Sequence, residues 1–106
     1  MIIMSKRTTI HDKKIRSTTS RYKRDGWSVR ADIPGYKSPD PIGKYNRVPD
    51  IVVKKGKKTR IIEIETPKSL KTDCAQRGTF KKHAANKQNT TFKVLVARKP
   101  KKRKKR

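Results

Sequence analysis

The apolar and polar positions along the chain first predict a helix over residues 9–25. Four of its residues recur at spacings of four, three and four and therefore share one face: His11, Ile15, Thr18 and Tyr22. Thr9, with Asp12 three residues later, has the form of a capping box, and Gly26 suits the position that ends a helix. Because the shared face is only weakly apolar, we expect this helix to depend on packing against a sheet.

Alternating and apolar runs then predict four strands, at residues 27–33, 48–54, 59–65 and 91–97. The second and third strands are joined by KKGKK, whose central Gly56 is typical of a hairpin turn. The last strand is nearly all apolar, as a parallel strand covered on both faces tends to be. Between the first two strands, prolines and glycines break up a loop of about 14 residues that carries aromatic and basic side chains.

A second helix is predicted over about residues 68–87, with Thr66 or Ser69 as its cap and Pro67 in its first turn. Gly78 lies inside it and indicates close packing or a bend, since glycine weakens a helix. The predicted order is thus helix, strand, strand, strand, helix, strand. The last strand follows a crossover that we expect to be right-handed.

Composition confines this order to one small domain, residues 1–97, followed by a basic tail at residues 98–106. Only 30% of the 106 residues are hydrophobic, and 38% are charged. The tail holds eight of the 32 Lys and Arg residues and none of the eight acids, so we expect it to be disordered when free.

Net charge defines the class of partner. The chain carries +24, and residues 1–97 alone keep +16. Such a charge predicts a polyanionic partner, most simply nucleic acid. A membrane partner is not expected, because the sequence contains neither a basic amphipathic helix with a wide apolar face nor a run of transmembrane length. The opening MIIM is too short for a signal peptide, and the single Cys74 gives no disulfide or zinc pattern, so a cytoplasmic protein with Cys74 as a small core residue is expected.

Three of the eight acids lie on or beside the predicted hairpin. Asp50 is close to the start of one strand, and Glu63 and Glu65 close the next. Alternate residues of a strand point to the same face, so Glu63 and Glu65 are expected side by side, with Ile62 and Ile64 facing the opposite way. Three carboxylates gathered in so basic a chain suggest a metal site.

At these residues the chain resembles the PD-(D/E)xK nuclease superfamily, which has the restriction-endonuclease-like fold. It is most similar there to small archaeal Holliday-junction-resolvase-like proteins. The resemblance rests on the αβββαβ order, on Pro49-Asp50, and on Glu63-Ile64-Glu65 at the end of the next strand. Gln76 to Phe80 is also similar to the QxxxY motif of RecB-like nucleases, with Phe in place of Tyr. The chain departs from the pattern at Glu65, where the superfamily has Lys.

The resemblance implies a mixed sheet flanked by helices and a metal-dependent nuclease, acting on DNA as a homodimer with little sequence preference. Asp50 and Glu63 would bind Mg²⁺ or Mn²⁺ together with the Ile64 carbonyl, and Glu65 would be a further ligand or a general base. Gln76 would orient the water or a ligand. The missing lysine would be replaced from the next helix, by Lys68, Lys71 or Lys81.

Basic and aromatic residues near this position are the predicted contacts to nucleic acid. Tyr36 and Tyr45 are candidates for stacking on bases, with loop anchoring as the alternative. The candidates for phosphate contact on the loop and helix are Lys44, Arg47, Lys71, Arg77, Lys81 and Lys82. The tail residues Lys101, Lys102 and Arg103 would add affinity independent of sequence.

Two alternatives remain open from the sequence. Asp50 could be a turn residue, with the glutamates forming salt bridges to some of the many cations. The whole chain could also be a non-catalytic nucleic-acid-binding protein, such as a ribosome-associated component, on a degenerate nuclease fold. The residues leave DNA against RNA undecided, although the resemblance favours DNA.

Overall fold

The computed structural model describes residues 9–98 and has an α/β fold with helices on both faces of a four-stranded mixed sheet. The elements in chain order are α1 (Ile10–Arg24), β1 (Ser28–Ala31), β2 (Ile51–Lys55), β3 (Lys58–Glu65), α2 (Ser69–Thr72), α3 (Cys74–Ala85) and β4 (Thr90–Val96). This is the predicted order, except that the second helix is split in two.

The sheet has the strand order β1-β2-β3-β4. The first three strands are antiparallel, and β4 runs parallel to β3 after the helical crossover. Lys55 pairs with Lys58 across the predicted hairpin, and Gly56 takes the positive φ (60°) that the tight turn requires.

Capping explains where α1 begins and ends. The Thr9 hydroxyl accepts the Asp12 N–H at 3.1 Å, and Gly26 follows the last turn with a φ of 88°. The predicted helix is therefore confirmed at both ends. Ile15, which is 1% exposed, is the largest of the buried side chains that α1 packs against the sheet.

The core lies on the two faces of the sheet, and β3 contributes to both. The α1 face buries Ile15, Ile51, Val53, Ile62 and Ile64, whereas the α3 face buries Ile42, Ile61, Phe80 and Ala84. The alternation along β3 therefore sends Ile62 and Ile64 toward α1 and leaves Glu63 and Glu65 on the α3 face, as predicted.

The predicted single helix over residues 68–87 is wrong, because the helix breaks at Asp73. Asp73 has φ −98° and ψ 28° and separates α2 from α3. Thr72 and Asp73 hydrogen-bond locally, as short polar side chains do when they compete with helix. The Leu70 carbonyl is satisfied at the break by Arg77 Nη2, at 2.8 Å. Thr66 and Ser69 hydrogen-bond reciprocally where α2 begins. The N-cap residue itself is Lys68, which makes no side-chain capping bond, so neither predicted cap occupies the N-cap position.

Two further expectations fail. Strand β4 pairs only with β3 at the edge of the sheet, so its side chains are half-buried or exposed rather than covered on both faces. Cys74 is exposed and not a core residue, because the break at Asp73 places it in the first turn of α3. Within residues 9–98, no helix is long and apolar enough to cross a membrane. The predicted disorder of the tail concerns residues that lie, apart from Arg98, outside the described part of the chain.

The loop between β1 and β2 ends in a tight turn. Ile42 and Arg47 exchange two backbone hydrogen bonds, of 2.8 and 3.0 Å, and Ile42 is anchored in the core of the α3 face. Gly43 and Asn46, inside the turn, have positive φ values of 79° and 51°. This turn leads directly into β2 through Pro49 and Asp50.

Two glycine-to-alanine changes are expected to have opposite effects on stability. A Cβ added at Gly78 meets nothing within 4 Å, which contradicts the predicted close packing, so Gly78→Ala should raise the free energy of unfolding by about 0.4–1 kcal/mol. A Cβ at Gly43 meets Thr79 at 3.0 Å on a backbone of positive φ, so Gly43→Ala should lower it by more than about 1 kcal/mol. Urea unfolding of both variants measures this, and a loss of stability in Gly78→Ala would show that the helix depends on this glycine.

Candidate functional site

Asp50 lies at the end of the hairpin, where α1, β2 and β3 meet. Its Oδ2 accepts the Ile64 N–H at 2.8 Å, and His11 Nε2 lies 3.4 Å from the same oxygen. The pairing of Ile51 with Ile62 brings Asp50 next to Glu63 on the neighbouring strand. The Asp50 carboxylate is thus fixed by one strand and by one helix at the same time.

Glu63 is the second acid of this group and is 2% exposed. Gln76 Nε2, from α3, lies 3.3 and 3.5 Å from its two carboxyl oxygens. Burial, and next the neighbouring Asp50 carboxylate, raise the pKa of Glu63 to about 9. Glu63 therefore holds a proton at neutral pH, and the Asp50–Glu63 pair carries one negative charge instead of two.

His11 and Asp50 form the charged part of the site. The hydrogen bond to Asp50 raises the pKa of His11 to about 9, against the opposing effect of burial. Burial works to raise the pKa of Asp50, but hydrogen bonds from His11, Glu63 and the Ile64 N–H outweigh it, and the net shift is downward. At neutral pH a protonated imidazole therefore faces an ionised Asp50.

Glu65 is held by other partners. It is 1% exposed, its Oε2 lies 3.4 Å from Arg77 Nη1, and its Oε1 accepts the Ser69 hydroxyl. The ion pair leaves Glu65 on the same face as Glu63 but engaged with α2 and α3. Arg77 was expected to contact phosphate, but its guanidinium pairs with Glu65 and donates a hydrogen bond to the Leu70 carbonyl.

Of the two tyrosines predicted to contact nucleic acid, Tyr36 is partly buried and Tyr45 is exposed. Tyr36 is partly buried against the α1-face core, which favours loop anchoring over stacking. Tyr45 is 68% exposed, with the Lys44 amine and the Arg47 guanidinium each 5.4 Å from its ring centre. The cations on α2, α3 and the segment before them are exposed: Lys68, Lys71, Lys81 and Lys82. The tail residues Lys101, Lys102 and Arg103 lie outside the described residues.

His11 is a site residue that was not predicted. The helical pattern indicated its place on the inner face of α1 but no chemistry for it, because its contact with Asp50 spans 39 positions. A histidine on a core-facing helix position, in a chain whose acids gather at one strand end, is the signal that could have found it.

Within the described residues, no three or more His, Cys, Asp or Glu side chains are arranged to hold a metal ion among themselves. The two adjacent carboxyl groups are Asp50 and Glu63. Comparisons of the chain with protein-family models, curated proteins and solved structures found no significant match.

The site predicts how stability depends on pH in the presence of a metal chelator. Glu63 and His11 have raised pKa values, so each contributes stability that is complete below its unfolded pKa, 4.5 or 6.5, and is lost as the pH rises through about 9. Asp50, with a lowered pKa, loses its contribution only as the pH falls. The free energy of unfolding should therefore decrease from about pH 5 to about pH 9.

Glu63→Gln is the matched variant, because an amide resembles the protonated acid and cannot lose the proton. Its free energy of unfolding should vary less with pH, and the variant should be more stable than the wild type near pH 9. Urea unfolding at several pH values measures both. Parallel profiles for the two proteins would show that Glu63 titrates normally.

Proposed function

We propose that the chain is a metal-dependent nuclease, or a nuclease-like DNA-processing protein, that hydrolyses phosphodiester bonds with little sequence preference. The order of elements, with β4 parallel to β3 after the crossover, supports a PD-(D/E)xK core with Glu at the position of the usual Lys. The contact of Gln76 with Glu63 adds support, since the resemblance places Gln76 beside the acids.

The observation that carries the proposal is the pair formed by Asp50 and Glu63. In a chain with 32 cationic and only eight anionic side chains, Glu63 has no cationic side chain within salt-bridge distance among residues 9–98. Two acids buried together are costly unless a proton or a cation lies between them. The raised pKa of Glu63 expresses this cost.

The donor set fits a small hard cation. Mg²⁺ is commonly bound through one or two carboxylates, with water and substrate phosphate completing its shell. Asp50 and Glu63 would hold the ion with the Ile64 carbonyl, and Mn²⁺ would bind in the same way. Glu65 does not fit as a third ligand while it is paired with Arg77. A bound cation would polarise a phosphodiester oxygen and lower the pKa of a water.

The residues around Asp50 and Glu63 would position the acids or a water and would hold a proton beside them. Gln76, held against Glu63, can orient that carboxyl group or a water. His11 can hold a proton beside Asp50. In this proposal Glu65 is paired with Arg77 and is not the general base. Lys68, exposed just before α2, is the candidate to replace the lysine that the superfamily pattern has at Glu65.

Substrate contact is assigned to the turn that precedes Asp50. Tyr45 stands exposed between two cations and can stack on a base, while Lys44 and Arg47 contact phosphates. On α2 and α3 the exposed Lys71, Lys81 and Lys82 extend the same basic surface. DNA as the substrate, and action as a homodimer, follow from the resemblance.

One observation favours a second function. Glu65 pairs with Arg77 and also accepts a hydrogen bond from the Ser69 hydroxyl, at the place where the superfamily has its catalytic Lys. A chain in which this position is structural would bind nucleic acid without cutting it, as in a ribosome-associated or other ribonucleoprotein component. The net charge of +24 suits that function equally.

Asp50→Asn and Glu63→Gln should each reduce cleavage of branched or linear DNA with Mg²⁺ or Mn²⁺ by at least about 100-fold. Loss of an outer partner of a metal ligand costs about 10–100-fold, and loss of a ligand itself should cost at least the upper end of that range. Gel assays of labelled substrates measure the rates. Asp40→Asn is the control, because Asp40 is 89% exposed and, among residues 9–98, pairs only with Arg30, and it should cleave like the wild type.

Binding by all forms without cleavage by any would exclude the enzyme and leave the second function. Cleavage that survives both substitutions would place the chemistry elsewhere in the chain.

Deletion of residues 98–106 should weaken binding to all DNA sequences alike. The deleted segment carries eight cations, and each phosphate contact that is lost flattens the dependence of log affinity on log salt by about 0.9. Fluorescence anisotropy at several salt concentrations measures this slope. An unchanged slope would show that the tail does not touch DNA.

A further inference from the structure

A group of cationic side chains around Arg60 lies on the opposite face of the sheet from Glu63. Arg60 belongs to β3 and shares the α1 face with Ile62 and Ile64. Its guanidinium carbon is 5.1 Å from the ring centre of Trp27 and 5.8 Å from that of Tyr22. The two rings themselves meet edge to face at 5.4 Å.

The position of the Arg60 guanidinium is fixed, but its positive charge is not paired with a carboxylate of the described residues. Its Nη1 donates to the Tyr22 hydroxyl at 2.9 Å, and it forms no ion pair with a carboxylate of residues 9–98. A guanidinium has five N–H donors, so one hydrogen bond leaves most of them available. An arginine held by two aromatic rings loses little conformational freedom when it binds a ligand.

Open space adjoins this arginine on two sides. Cavities of about 470 and 310 Å³ both border Trp27 and Arg60. The smaller one lies along α1 and is also lined by Lys14, Arg21 and Lys93, with Asp25 as its one acid. The larger one is lined by Lys58 and by hydroxyl and amide groups at the start of β3 and β4. Cations therefore outnumber acids around both.

We propose that Arg60, seated on Trp27, is a phosphate-binding site for the backbone of a nucleic-acid strand. The planar guanidinium matches the geometry of a phosphate, and the three cations of the smaller cavity neutralise neighbouring phosphates. Because the sheet separates Arg60 from Glu63, this site engages a different stretch of nucleic acid from the one at the acids. It requires no catalysis and holds for either proposed function.

Salt dependence of DNA binding tests the site on the full chain in the presence of EDTA. The probe is a labelled DNA duplex, followed by anisotropy from low to moderate salt. Arg60→Gln removes the charge but keeps a planar amide for Tyr22 and Trp27. It should weaken binding and reduce the slope of log affinity against log salt by about 0.9, which corresponds to one phosphate.

Arg16→Ala is the matched control. Arg16 is an exposed arginine of α1 that lines neither cavity, so its loss should leave the slope unchanged. The double change Arg21→Ala with Lys93→Ala tests the site without touching the aromatic rings. Both of these side chains are exposed, and the slope should fall by about 1.8 for two phosphates.

Trp27 adds a direct readout, because it is the only tryptophan of the chain. Saturating duplex should change its emission in the wild type, and the change should shrink in Arg60→Gln. Slopes unaltered in both cavity variants, together with unchanged Trp27 emission, would overturn the proposal. A Trp27 response to anionic lipid vesicles but not to DNA would also overturn it.

Discussion

The close approach of two acids, Glu63 buried and Asp50 half-buried, is the constraint on which this small fold depends. Asp50 and Glu63 come from adjacent strands and meet at one end of the hairpin. Asp50 is held by the Ile64 N–H and by His11, and Glu63 is held by Gln76. Each acid thus contacts a different helix: Asp50 contacts α1, and Glu63 contacts α3. The same contacts that satisfy the acids therefore tie both helical layers to one end of the β2–β3 hairpin.

Charge explains the rest of the arrangement on the α3 face. Glu65 forms an ion pair with Arg77, whereas Glu63, two residues earlier, contacts the neutral side-chain amide of Gln76. Arg77 lies four residues after the helix break at Asp73, pairs with Glu65, and also satisfies the Leu70 carbonyl that the break exposes. One arginine thus supports the break and neutralises one acid. The neighbouring acid pair keeps a proton, which is the electrostatic state that a cation would relieve.

Local patterns in the sequence were enough for the order of the elements, apart from the break in the second helix, and for part of the site. The period of two along β3 placed Glu63 and Glu65 on one face, and the hairpin brought Asp50 opposite Glu63. Contacts between distant segments were not encoded locally. His11 meets Asp50 across 39 positions, and Arg77 meets Glu65 across 12 positions, from beyond a helix break that the sequence did not predict. Nothing local indicated that Arg60 would lie against the rings of both Trp27 and Tyr22.

The turn between Ile42 and Arg47 also sets a length scale. Tyr45 precedes Asp50 by five residues, so their Cα atoms lie within about 17 Å of each other. Duplex DNA advances about 3.4 Å per base along one strand, and this span therefore covers no more than about five bases. Because the turn is anchored in the core through Ile42, Tyr45 stands at a fixed offset from the acid pair. In the proposed nuclease, this offset would set how far along the strand a base stacked on Tyr45 lies from the bond that is cleaved.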